Sequence, residues 1–173
     1  MAGVDHRDAL RHMEWADART WRAVLAVPPL QHGPAMRNRL LHYHVTQRAY
    51  LQLFRGEPVD IPDPAGFADL TDVSRWVRVF YRELPAFLDS LDDAVLDRRV
   101  DFPWAAEMET RFGKISPATV AESLVQLVLH TAHHRGQVMT KISEAGGKAP
   151  LIDYIAWVWL GRPDPDWVGI GCE

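Results

Sequence analysis

The chain has a single cysteine, Cys172, among 173 residues, so it can form neither an intrachain disulfide nor a thiolate zinc cluster. It has no basic excess. Its 19 lysines and arginines against 23 acidic residues give a net charge of −4 and a pI near 6.0, the wrong balance for a chain whose main partner is nucleic acid. No apolar run comes close to the ~20 residues that span a bilayer. The start, Met1 to Asp8, lacks the apolar stretch of a secretory signal. These absences predict a cytoplasmic protein with no membrane and no nucleic-acid partner. Internal repeats and low-complexity runs are missing too. What is present is the composition of one folded domain over residues 1–173, with 47% hydrophobic and 24% charged residues, together with 7 tryptophans and 8 histidines.

Helical periodicity dominates. Leu10, Met13, Ala16 (or Asp17), Trp21 and Val24 recur at three- and four-residue spacing and predict a first helix from about Asp5 to Val27, stopped by Pro28-Pro29. A second is predicted from Pro34, a residue suited to a first helical turn, to Phe54, with Gly56 just beyond. A long connection, residues 55–70, carries Pro58, Pro62, Pro64 and Gly66. A third helix is predicted from Thr71-Asp72 to about Leu88, with Pro85 marking a kink or a new start. Residues 98–115 read as two short extended pieces, a possible hairpin. A fourth helix is predicted to open at Ser116-Pro117 and to end at Gly146-Gly147, and a short last one covers about Leu151 to Leu160. Four long amphipathic helices in one domain bury their stripes together as a bundle, so the expected class is all-α.

The histidines carry the chemistry. His130 and His134 are four apart and share one face of the fourth helix, where two imidazoles can bind one divalent cation. Thr131 stands where the zinc-peptidase motif has its glutamate base, so that chemistry has no support. His133 is about 100° further round and is expected to face outward. A catalytic metal needs a third protein ligand, and the second helix offers His42 or His44, about 200° apart around its axis. His42 shares its side with Val45, Ala49, Tyr50 and Leu53, and His44 with Gln47, Arg48 and Leu51, so the more apolar company favours His42 as the inward residue, with His44 the alternative. His6, His12 and His32 read as surface or packing positions.

The stretch from Leu129 to Val138, containing His-Thr-Ala-His-His-Arg-Gly-Gln, resembles the His-x-x-x-His-Arg-Gly-Gln segment of the DinB/YfiT-like superfamily. Leu41 to Leu51 is similar to that family's second-helix histidine followed eight residues later by an aromatic residue and leucine, which matches His42. Arg11 to Trp21 and Gly146 to Tyr154 resemble its first helix and the connection into its last. The resemblance covers about residues 8–160. It implies an up-down-down-up four-helix bundle with a short extra C-terminal helix, a divalent metal (zinc or nickel) on His42, His130 and His134, and a homodimer. It also implies relatives that act as transferases or isomerases with a low-molecular-weight thiol.

The expected function is therefore a metal-dependent transferase or hydrolase acting on a small-molecule substrate. The rival reading is a non-catalytic, dimeric helical binding module. Gln137 and Tyr50 are candidates for a supporting shell around the metal, and Trp15 for the pocket lining. Arg135 is expected at the surface or in a dimer salt bridge. Trp76, Trp157 and Trp159 are expected in the core or at an interface, Trp104 as a pocket lid, and Trp167 packed back on the domain.

Overall fold

The computed structural model describes residues 5–171, so Cys172 lies outside the described residues. Asp5 caps α1 (His6–Leu25) through its carboxylate and the Arg7 amide. Pro28-Pro29 ends the previous helix and also opens a one-turn helix, α2 (Pro28–Gln31). Then follows α3 (Pro34–Arg55), which closes on Gly56 in the left-handed conformation, φ 72°, where glycine avoids a Cβ clash. The proline-rich connection holds only one short 3₁₀ turn, Pro64–Gly66.

The third long helix, α4 (Leu70–Asp89), starts two residues earlier than predicted. Its cap is Asp69, whose carboxylate takes the amides of Thr71 and Asp72. It also runs without interruption through Pro85, which sits on the exposed side of a helix whose inner face, Val73, Val77, Phe80, Leu84, Phe87 and Leu88, is buried.

Residues 98–115 differ from the expected hairpin. After α5 (Asp93–Asp97), a two-residue strand β1 (Arg99–Val100) pairs antiparallel with β2 (Ala118–Thr119), with Arg99 opposite Thr119. The intervening chain forms α6 (Ala105–Phe112), so Thr110 to Phe112 are helical, not extended. The Ala-Ala-Glu-Met-Glu run favours helix over strand. The last long helix, α7 (Val120–Glu144), opens four residues after Ser116. A capping box replaces the proline start: the Thr119 hydroxyl takes the Glu122 amide, and the Glu122 carboxylate takes the Thr119 amide. The chain ends with α8 (Tyr154–Trp159).

The four long helices share one core. α7 lies against both α1 and α3, and α4 lies against α3 and more lightly against α1. Trp21, Tyr43, Leu84, Leu124 and Ile142 are among its fully buried side chains. Trp15 and Trp157 form a smaller cluster under α8, and His12 donates to the Ile152 carbonyl at 2.8 Å, a packing role. The C-terminal tail returns over α1 and α4. Trp167 donates to Glu14 at 3.0 Å and lies under the Arg78 guanidinium. Trp76 is half-buried against Phe67, whereas Trp159 is 78% exposed and so belongs to no core. None of the described helices is long and apolar enough to cross a membrane.

Candidate metal centre

The inner face of α3 is Leu40, Tyr43, His44, Gln47, Leu51 and Phe54, an alternating three- and four-residue stripe. The inward histidine is therefore His44, and not His42 as its apolar neighbours predict. His44 is 1% exposed and His42 is exposed. Apolar company misled because the true stripe contains two polar residues, whose burial is compensated by hydrogen bonds rather than by hydrophobicity.

His44 sits in a polar network inside the core. Trp21 Nε1 donates to His44 Nε2 at 2.9 Å, which leaves the proton on Nδ1, and Nδ1 donates to Gln47 Oε1 at 2.7 Å. The Gln47 amide nitrogen reaches Asp17 Oδ2 at 2.8 Å and the Tyr81 and Thr131 oxygens at 3.2 Å. The Tyr81 hydroxyl also donates to Asp17, and Arg135 makes an ion pair with Asp17 Oδ1 at 2.9 Å. Arg135 is only 4% exposed, so it is a core ion-pair residue and not the surface residue expected from sequence. Burial lowers the His44 pKa to about 4 and raises the phenols of Tyr43 and Tyr81. Both ring nitrogens of His44 are engaged, so it has no lone pair to give a metal. Asp17, Gln47, Tyr81 and Thr131 escaped the sequence reading as a functional set, because a polar core is visible only once four helices are brought together.

The metal-type cluster lies on the flank of the same interface. His130 and His134 are half-buried beside the α7 core stripe of Leu127, Thr131 and Arg135, and His42 faces them from α3. Ligand atoms of His42, His130 and His134 all lie within 4.8 Å of one another. The ring centroids are 4.5 Å apart for His42 and His134 and 4.4 Å for His130 and His134. Tetrahedral zinc with ~2.0–2.1 Å bonds sets its nitrogens about 3.4 Å apart, against a spread of up to 4.8 Å here.

The donor set fits a divalent ion in three respects. First, burial and the neighbouring imidazoles lower the pKa of His130 to about 4 and also depress that of His42, so both rings are neutral near pH 7. Second, His134 Nδ1 donates to Gln137 Oε1 at 3.0 Å, which turns Nε2 into the free lone pair. Third, His130 Nδ1 is buried with no hydrogen-bond partner among the described residues.

Gln137 does more than expected. It receives Arg39 from α3 on the same oxygen and donates its amide to His133 Nε2 at 3.1 Å. His133 is exposed, as predicted. Tyr50 is not beside the triad. It packs against Phe54, Phe102 and Trp104, two turns and about 12 Å of helix rise from His42. Trp104 covers Tyr50 and not a pocket at the histidines, and Trp15 is buried beside His12 and under Arg19.

The model of the DinB family matches residues 4–164 of the chain. No curated protein matches it significantly.

Proposed function

The chain belongs to the DinB family, and from that premise we propose that it is a cytoplasmic metal-dependent enzyme, a transferase or hydrolase acting on a small molecule and able to use a low-molecular-weight thiol. His42, His130 and His134 would hold one zinc or nickel ion. The observation that carries this reading is the convergence of three imidazoles from two helices, with one nitrogen unpartnered. A divalent ion held there by three neutral nitrogens would supply a Lewis acid able to acidify water or a thiol.

The chain's own residues do the rest. Gln137 fixes the tautomer and ring plane of His134, and Arg39 fixes Gln137 from the opposite helix. Thr131, next to His130, is turned into the core and takes a hydrogen bond from Gln47, so it offers no base to the site. The same reading takes the four long helices as an up-down-down-up bundle within one domain. It also takes the working form as a homodimer, which would cover exposed Ile155, Trp159 and Leu160.

Elemental analysis of protein purified without a nickel column is the test. Close to one divalent metal per chain is expected. His42→Ala, His130→Ala and His134→Ala should each remove it, and His133→Ala should not. Metal retained by all three variants, or lost from His44→Ala alone, overturns the ligand assignment. Metal that raises the melting temperature while no thiol or ester substrate turns over favours the non-catalytic module.

A further inference from the structure

In a chain of net charge −4, the two helices that carry the triad hold no carboxylate near it. α3 contains no acidic residue from Pro34 to Arg55. On α7 the acidic residues are Glu122 and Glu144, at the two ends, each two or more turns and at least about 12 Å of helix rise from the histidines. Both are occupied, Glu122 in the capping box and Glu144 with Lys141 at 2.7 Å. The charged groups that act on His42 and His130 are the other histidines and Arg39, with no carboxylate among them.

The other arginines of these helices have their partners away from the triad. Arg37 donates to the Phe67 carbonyl, Arg48 lies over Trp76, Arg55 pairs with Glu83, and Arg135 pairs with Asp17. Arg39 makes no ion pair among the described residues. It is half-buried, one turn before His42 on α3, and only two hydrogen bonds separate it from His134, through Gln137 Oε1. A guanidinium has five N–H donors in a fork that matches a carboxylate.

We propose that Arg39 makes the triad an anion-selecting site, whose ligand is a small molecule carrying a carboxylate. This deepens the metal-site reading and rests on it. Three neutral imidazoles leave the full charge of the ion uncompensated, and Arg39 adds a second positive charge on the open flank. A neutral ligand gains nothing from that charge. A carboxylate gains a charge-assisted hydrogen bond.

The test uses the full chain loaded with Co²⁺, whose visible absorption reports a ligand entering the metal's coordination sphere. Two matched thiols are titrated separately: 3-mercaptopropionate and 3-mercaptopropionamide, which differ by carboxylate against amide. The wild type should bind the carboxylate about 10-fold more tightly or better, as expected of one charge-assisted bond. Arg39→Met should bring the two affinities close together, mainly by weakening the carboxylate's, and Arg39→Lys should keep most of the preference. A preference that persists in Arg39→Met belongs to the ion alone and overturns the inference. So does equal binding of both thiols by the wild type. Loss of the cobalt spectrum itself in Arg39→Met would limit Arg39 to its hold on Gln137, with no part in ligand choice, which overturns the inference and leaves the metal reading standing. A wild type with no cobalt spectrum overturns both.

Discussion

His42 and His44 are two residues apart on one helix and have opposite surroundings. His44 lies inside the core with both ring nitrogens bonded, one taking Trp21 and the other giving to Gln47. His42 lies on the flank, its ring against those of His130 and His134. The inner network and the outer triad both use α3 and α7, and Thr131 and Arg135 each follow directly after a triad histidine. The difference lies in saturation. The network has few loose ends, the Tyr43 hydroxyl and Arg135 Nε, and its polar groups define how α1, α3, α4 and α7 meet. The triad has nitrogens without protein partners, the condition for taking a ligand. A histidine's role in this protein follows from the number of its lone pairs and protons already spent, more than from its depth.

That contrast can be broken at several points. The largest effect is expected from Arg135→Ala, which strands the Asp17 carboxylate in the core and should cost about 3–5 kcal/mol in urea unfolding of the metal-free protein. A cost below about 1 kcal/mol would mean that the inner network holds nothing together.

Acidification comes next. The His44 pKa is near 4 when folded against 6.5 for a free ring, so the unfolded chain binds more protons between those values. The stabilisation is complete above pH 6.5 and is lost as pH falls towards 4, in all about 3 kcal/mol. His44→Gln cannot titrate and should remove that part of the slope; an unchanged slope would assign it to other groups.

A smaller effect is expected at the flank. Gln137→Leu should weaken metal affinity about 10- to 100-fold in a chelator competition, with the metal-free stability within about 0.5 kcal/mol of wild type. The reverse pattern, stability lost and affinity kept, would make Gln137 a plain interhelical tie. Smallest is Thr119→Ala. It opens the capping box of α7 and should cost about 1 kcal/mol in thermal unfolding with metal affinity unaltered.

The long helices were legible because their apolar residues recur at helical spacing, and α1 and α3 match the expected bounds to within about two residues. The triad was legible from the His130–His134 spacing and from the family pattern that singles out His42. The apolar neighbours of His42 point to burial, whereas His42 is exposed and reaches the triad from the flank. Polar residues that stabilise one another across helices, Asp17 with Arg135 or Gln47 with Thr131, look like surface residues to any one-dimensional reading. The start of α7 differs from the predicted one for a related reason. Ser116-Pro117 is a reasonable local signal, but the pairing of Ala118-Thr119 with Arg99-Val100 holds those residues extended, and the helix waits for the Thr119–Glu122 cap. Where long-range partners decide, local propensity is overruled.

The three imidazoles come from only two helices, and His42 is separated from His130 by about half the chain. An ion bridging them would clip the polypeptide into a ring of roughly 90 residues, a restriction of the denatured coil comparable to a disulfide's and worth about 4–5 kcal/mol on chain-entropy grounds. A molecule whose lone thiol, Cys172, has no intrachain partner would thereby gain a removable cross-link. Chelation would undo it and binding would restore it, so that the tightness of the fold would follow the supply of metal around it.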